Sequence, residues 1–127
     1  MQERHLYEYA VIRVLPKVER EEFLNVGIIL FCKNPRFIKT VFKIDEERLK
    51  AFSKDLDIDE IKSYLEAFQK IASGSKDGGM IAQMDVPSRF RWLTAVRSSI
   101  IQTSRPHPGL CLDAENTLQR LFEDFVA

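Results

Sequence analysis

The sequence has no excess of either charge, because 19 Lys and Arg residues balance 19 Asp and Glu residues. This balance excludes a whole-protein field that would steer the chain onto nucleic acid or an acidic membrane. Any such binding must come from a local patch. Long hydrophobic runs are also missing, since the longest, Val26 to Cys32, is far too short to span a bilayer. We therefore expect no membrane partner.

Cysteine is scarce, and Cys32 and Cys111 are the only two in the chain. Two cysteines do not make the dense framework of a small secreted domain stabilised by disulfides. The N-terminal residues also lack the apolar core of a secretion signal. Together these absences predict reduced thiols and a cytoplasmic protein.

Recognisable catalytic and metal-binding motifs are absent as well. Gly78 and Gly79 are not followed by the Lys-Ser or Lys-Thr of a phosphate-binding loop. Cysteine and histidine spacings do not fit zinc, and no Gly-x-Ser-x-Gly elbow occurs. Asp57 and Asp59 resemble part of a calcium loop without its glycine and final glutamate. We predict no metal, no cofactor and no catalytic residue, and the sequence leaves open whether the protein is an enzyme.

One long segment of the chain contains many hydrogen-bond donors and no acidic residue that could pair with them. No Asp or Glu lies between Asp85 and Asp113. The guanidinium group is a planar fork suited to carboxylate or phosphate, so this segment is a candidate docking place for a negative group. Its basic residues are Arg89, Arg91, Arg97, Arg105 and His107, and its hydroxyl-bearing neighbours include Ser98, Ser99 and Ser104.

The first third of the chain has the pattern of β-strands. Alternating apolar residues predict strands over Leu6 to Leu15, Phe23 to Cys32 and Phe37 to Ile44. Short links between them favour an antiparallel meander. A fourth strand is predicted over Ser99 to Thr103, after which Pro106 and Pro108 are expected to end regular structure.

Helical periodicity dominates the rest of the chain. Asp45, Asp57 and Asp113 are candidate caps for three helices, the second of which ends at Gly74. Pro87 suits the first turn of a further short helix that continues through Arg91 and Leu93. The predicted fold is α+β, a single domain over residues 1–127, with an antiparallel sheet of three to four strands and helices packed mainly on one face.

Two details of the predicted strands concern contacts with other backbones. Gly27, inside the second strand, predicts a β-bulge or a close approach of another chain segment. The strand over Leu6 to Leu15, if it lies at an edge, would pair with its own copy in a homodimer through Tyr7 and Tyr9.

Two segments resemble a known family. One comprises residues 7–14 with residues 19–31, and the other comprises residues 89–94, 97–98 and 107–110, followed by the closing helix at Leu118 to Phe122. The chain resembles an uncharacterised bacterial family, domain of unknown function 3037. The resemblance implies a small single-domain bacterial protein whose gene lies beside kinases similar to HipA, the toxin of a toxin–antitoxin pair. This family has no established activity or catalytic residues to transfer.

The candidate binding residues are polar groups in or near these segments: Arg13, Arg20, Asn25, Arg89, Arg91, Arg97, Ser98 and His107. In one interpretation they converge on a phosphate or carboxylate, with His107 held between two prolines as a general base or phosphate ligand. In the other, the arginines bridge to acid-rich helices of the same chain, and Asn25 satisfies backbone groups beside Gly27.

Two hypotheses about function remain. In the first, the protein is a non-enzymatic module that binds a protein partner through its arginine-rich side, and a HipA-like kinase is the partner that the family resemblance implies. In the second, it binds a phosphate-bearing ligand or nucleic acid through an Arg/Ser/His pocket, with phosphoryl-transfer or nuclease activity. Both require the arginines of the acid-free segment to share one face without internal counter-ions.

Overall fold

A computed structural model describes residues 3–95 and 99–127 of the chain. Its antiparallel sheet contains β1 (His5–Val14), β2 (Leu24–Cys32), β3 (Phe37–Phe42), β4 (Ile101–Thr103) and β5 (His107–Cys111). The strand order is β3-β2-β1, and both β4 and β5 pair with β1 on its other side. The α+β class and the antiparallel meander of the first three strands are confirmed. The predicted count of three to four strands is wrong, because the sheet also contains β5.

The missed strand, β5, contains one of the two prolines that were expected to end regular structure. Pro108 lies opposite Glu8, and β5 pairs only with β1 among the described residues. Proline lacks an N–H group, so it is tolerated in a strand at a sheet edge, where that group has no ladder partner. His107 consequently lies in a strand and not in the rigid loop that its flanking prolines predicted.

Ser104 joins β4 to β5 along β1. The Val11 N–H donates to Ser104 Oγ at 2.9 Å, and the Ser104 N–H donates to the Val11 carbonyl at 2.9 Å. A serine hydroxyl thus takes the place of a ladder carbonyl where the outer strand is interrupted. This buried hydroxyl therefore has a structural role, because it completes the hydrogen bonding of β1.

The central position of β1 rules out the predicted pairing of this strand with its copy. β1 pairs with β2 on one side and with β4 and β5 on the other. The long run of β-branched and aromatic residues that identified the strand is typical of an interior strand as well as of an edge. A homodimer built on a free edge of β1 is excluded by this arrangement.

Gly27 fulfils both parts of its prediction. The β1–β2 register shifts between Ile12, which pairs with Gly27, and Arg13, which pairs with Asn25. A Cβ atom on Gly27 would lie 2.5 Å from the Val41 carbonyl oxygen. Glycine is needed here because β3 approaches the bulge too closely for any side chain.

Residues 3–95 and 99–127 contain four helices that pack against the sheet: α1 (Glu46–Phe52), α2 (Ile58–Ser73), α3 (Val86–Leu93) and α4 (Ala114–Phe125). The carboxylates of Asp45, Asp57 and Asp113 cap α1, α2 and α4, as predicted. Asp85 caps α3 by accepting the Ser88 N–H at 2.8 Å, and Pro87 lies in its first turn. Short 3-10 turns occupy Val18–Arg20 and Ile81–Gln83.

The helices divide between the two faces of the sheet. On the α2 face, which is covered by α1, α2 and α3, the core contains Ala10, Ile12, Val14 and Phe90. On the α4 face, Val11, Ile28 and Leu30 pack under Leu118 and Leu121 of α4. None of the described helices is both long and apolar enough to cross a membrane.

Candidate functional site

Arg89, the first arginine of α3, is buried, with 6% of its surface exposed. One guanidinium nitrogen, Nη1, donates to the Ala82 carbonyl at 3.4 Å, while Nε has no partner among the described residues. Burial and the nearby Arg36 lower the pKa of Arg89, and Asp85 partly offsets that shift. A Cβ on Gly74 would collide with Nη1. The guanidinium thus lies against the C-terminus of α2, where the helix dipole favours a cation.

Arg91, two residues later, points to solvent beside the N-terminal half of β1. It makes a two-pronged ion pair with Glu8, with Nη1–Oε1 at 2.9 Å and Nη2–Oε2 at 2.5 Å. These hydrogen bonds with Glu8 raise the pKa of Arg91. Its fork is therefore already occupied by a carboxylate of the same chain, but this carboxylate belongs to β1 and not to the acid-rich helices that the second interpretation named.

Arg13 and Asn25 lie directly opposite each other on β1 and β2, on the α4 face. The Arg13 guanidinium stacks 3.9 Å above the Phe23 ring, and Asn25 Nδ2 donates to the Phe125 carbonyl at 3.2 Å. Burial lowers the pKa of Arg13. Arg13 Nε and Asn25 Oδ1 are buried without a hydrogen-bond partner in the described structure. Asn25 thus ties β2 to the end of α4 and does not bond to the strand beside Gly27.

Arg20 and His107, two further predicted residues, have other partners. Arg20, at the end of the first 3-10 turn, is exposed and pairs with Glu22 at 2.5 Å. His107 is exposed on β5, and its ring packs against Tyr9, with ring centres 5.4 Å apart. Arg97 and Ser98 lie outside the described residues.

The sheet separates the described candidates other than Arg20 into two groups. Arg13, Asn25 and His107 lie on the α4 face, whereas Arg89 and Arg91 belong to α3 on the α2 face. The two arginines of α3 also have different surroundings, since Arg89 is buried and Arg91 is exposed. The described members therefore do not meet in one pocket, whereas the first interpretation has them converge on one phosphate or carboxylate.

An exposed apolar surface that the sequence did not reveal lies at the start of β1. Leu6 and Leu110 are direct partners in the β1–β5 register, and they are 64% and 61% exposed. Strand alternation puts them on the same side as Glu8 and Ala10, which is the α2 face. We call this surface, formed by Leu6, Glu8, Pro108 and Leu110 with Arg91 beside it, the open face.

The open face exists because the helices of the described structure stop short of it. Ala10, Ile12 and Val14 on the same side of β1 are fully buried, whereas Leu6 is not. Period-two alternation in the sequence assigned these residues to one face. It contained no signal for where the helical layer ends, because that depends on how α3 is placed in three dimensions.

A groove of about 540 Å³ adjoins the open face and runs toward the β2–β3 turn. Both charges line it: the cations are Arg4, Lys33 and Arg91, and the anions are Glu3 and Glu8. Since Arg91 and Glu8 are paired, the remaining groups leave a small excess of positive charge. The groove could receive polar side chains of a molecule seated on the leucines.

Metal and thiol chemistry have little support in the described part of the chain. No group of three or more His, Cys, Asp or Glu residues there could hold a metal ion. Cys32 and Cys111 are free and buried. Burial and the neighbouring Cys111 raise the pKa of Cys32 to about 11, so that its sulfur stays a protonated thiol at neutral pH. A protonated, buried thiol is a poor nucleophile.

Comparison with known proteins places the chain in an uncharacterised group. A family model described as "Protein of unknown function (DUF3037)" matches residues 9–126. This match confirms the resemblance seen in the two sequence segments. No curated protein and no solved structure matches the chain.

Proposed function

The chain belongs to the protein family of unknown function DUF3037, and we propose that it acts as a non-enzymatic module that binds a protein partner on its open face. The observation that carries this proposal is the pair Leu6 and Leu110, two large apolar side chains side by side on a sheet surface that the described residues leave exposed. Contiguous exposed apolar surface rimmed by polar groups is typical of interaction sites.

The energy available at this pair is enough to support recognition. Complete burial of a leucine contributes about 1.5–3 kcal/mol, so covering the exposed parts of both side chains would contribute about 3 kcal/mol. The ion pair of Arg91 and Glu8 and the adjacent groove would supply polar contacts at the rim. This distribution, with apolar residues at the centre and charges around them, matches the anatomy of protein interfaces.

The partner class that we propose is a kinase similar to HipA, because the family resemblance implies that such kinases are encoded beside these genes. We also propose that the encounter takes place in a bacterial cytoplasm. The two free thiols support a reducing compartment. The open face itself requires only a partner with an apolar patch and polar groups at its edge.

The proposal is tested by affinity purification of the tagged chain from its native cell. We expect the wild type to recover a stable partner, and Leu6→Ser/Leu110→Ser to lose at least about tenfold in affinity for it, as expected of central apolar contacts. Met80→Ser is the matched control, because Met80 is 88% exposed and lies elsewhere. Failure to recover a partner at near-native abundance, or unchanged binding by the double variant, would overturn the proposal.

A second copy of this chain is the other occupant that the open face could accept. Sedimentation analysis of the purified protein distinguishes the two cases. A dimer that dissociates in Leu6→Ser/Leu110→Ser would assign the surface to self-association. A monomer that still binds a foreign protein supports the module.

The alternative function is binding of a phosphate-bearing ligand, and the cations of the groove, Arg4 and Lys33, favour it. Phosphoryl-transfer or nuclease activity would need further groups beyond these. Inorganic phosphate, nucleotides and short oligonucleotides should then raise the melting temperature of the wild type and not of Arg4→Gln/Lys33→Gln. If none of them changes the melting temperature or is bound in a salt-dependent way, this alternative fails.

A further inference from the structure

The sheet has two edges, and in the described part of the chain only the β4–β5 edge is interrupted and contains prolines, features that oppose pairing with any other strand. At the β4–β5 edge, Pro106 and Pro108 remove N–H groups, and residues 104–106 interrupt the strand. Prolines and irregularities are common means of preventing edge-to-edge association. At the opposite edge, β3 is a continuous strand, Phe37–Phe42, with no proline or glycine.

The outer side of β3 has no backbone partner in the described structure. β3 pairs only with β2, and no other backbone hydrogen bond involves its residues. The Lys43 N–H donates inward to the Val26 carbonyl at 2.8 Å. Because inward and outward pairs alternate in an antiparallel ladder, the N–H and C=O groups of Ile38, Thr40 and Phe42 point outward. Alternate residues thus present a regular row of donors and acceptors.

The charges along β3 decide what kind of strand could dock there. Residues 36–44 contain the exposed cations Arg36, Lys39 and Lys43 and no acidic residue. A second copy of β3 would bring like charges together, which is unfavourable in neighbouring strands. Lys39 has a partner in Glu115 at 2.8 Å, whereas Lys43 has no ion pair among the described residues. An acidic strand would meet complementary charge.

We propose that the outer edge of β3 binds an extended acidic segment of a protein partner, in which apolar and acidic residues alternate, by addition of a sixth strand to the sheet. Main-chain hydrogen bonds to Ile38, Thr40 and Phe42 would give affinity, and the lysines would select acidic side chains. This site lies at the opposite edge of the sheet from β5 and the open face, and it does not depend on the function proposed there.

The first test uses hydrogen exchange and an acetylated, amidated peptide of alternating Val and Glu. In the free protein, the amides of Ile38, Thr40 and Phe42 should exchange faster than those of Lys39 and Val41, which point toward β2. Addition of the Val-Glu peptide should protect the first three. A Val-Lys peptide should give no protection. Absence of binding by the Val-Glu peptide at millimolar concentration, or binding that leaves the three amides unprotected, overturns the proposal.

The second test separates strand addition from charge attraction. N-methylation of every second residue of the Val-Glu peptide can be made in two ways, on one alternate set of residues or on the other. The peptide whose methyl groups replace the N–H donors to β3 should not bind, whereas the peptide methylated on the other set should bind like the unmodified one. Lys39→Glu/Lys43→Glu should weaken binding by about tenfold, as expected when exposed attractions become repulsions. Lys17→Glu, an exposed lysine after β1, is the control. Equal binding by both methylated forms would contradict the proposed site.

The two proposed surfaces can be separated by combining their variants. Leu6→Ser/Leu110→Ser should bind the Val-Glu peptide like the wild type, whatever its effect on recovery of a cellular partner. If this variant keeps its fold but loses the peptide, the binding site is not the β3 edge.

Discussion

Arg89 and Arg91 lie on the same turn of α3, yet their side chains have different surroundings and partners. Arg89 is buried against the end of α2 with a backbone carbonyl as its partner, whereas Arg91 is exposed and clamped by Glu8. A shift of two positions on a helix turns a side chain by more than half a revolution. Clustering of like residues in a helical segment is therefore weak evidence that their side chains share a site.

The largest loss of stability is expected from a substitution that fills the space occupied by the Arg89 side chain. Gly74 has a φ of +72°, and a Cβ there would meet the Arg89 guanidinium. Gly74→Ala should lower the free energy of unfolding by about 3 kcal/mol, because left-handed strain adds to displacement of a packed group. Chemical denaturation measures the change.

Gly79→Ala is the matched control for Gly74→Ala. Its φ is +87°, but no atom lies within 4 Å of the added Cβ, so only the backbone cost of about 1 kcal/mol applies. In the double variant Gly74→Ala/Arg89→Met, most of the stability that Gly74→Ala loses through the steric clash should be recovered. Equal losses for Gly74→Ala and Gly79→Ala would show that Arg89 is not packed as described.

The second-largest loss of stability is expected at Asp85, which caps the helix that carries both arginines. Asp85→Ala should destabilise the protein by about 1 kcal/mol at neutral pH, because an N-terminal donor of α3 loses its acceptor. Hydrogen bonds with Ser88 lower the pKa of Asp85 below its ordinary value of 3.8. A depressed carboxylate pKa stabilises the fold above pH 3.8, and this contribution is lost as the pH falls through the folded-state value.

The difference in stability between wild type and Asp85→Ala should therefore shrink on acidification below pH 3.8. Thermal unfolding across an acid pH series measures it. Asp55→Ala, which removes an exposed carboxylate between α1 and α2 that caps neither helix, is the control. A constant difference between wild type and Asp85→Ala across the series would contradict the role of the ionised cap.

The smallest effect is expected at Arg91. Arg91→Ala should cost about 0.5 kcal/mol, since solvent screens the exposed ion pair with Glu8. A double-mutant cycle with Glu8→Ala isolates the pair, and its coupling should weaken as salt is raised. A coupling as large as the effect of Gly74→Ala would remove the contrast between the two arginines.

Local patterns in the sequence predicted the fold better than they predicted the site. Alternation located β1, β2 and β3, and aspartates at helix starts located three caps, because these signals act within a few residues of the chain. β5 was missed because the acceptability of Pro108 depends on the strand lying at an edge. The surroundings of Arg89 depend on contacts with Ala82 and Gly74 from other elements, and no local pattern contains that information.

The two native cysteines have a practical consequence for experiments on this protein. Both sulfurs are shielded from solvent, and Cys32 would be deprotonated only in strongly alkaline solution. A single cysteine introduced at an exposed position should therefore react with maleimide dyes at neutral pH while the native pair stays unmodified. Fluorescent and spin labels can be attached at chosen positions without first replacing either native residue.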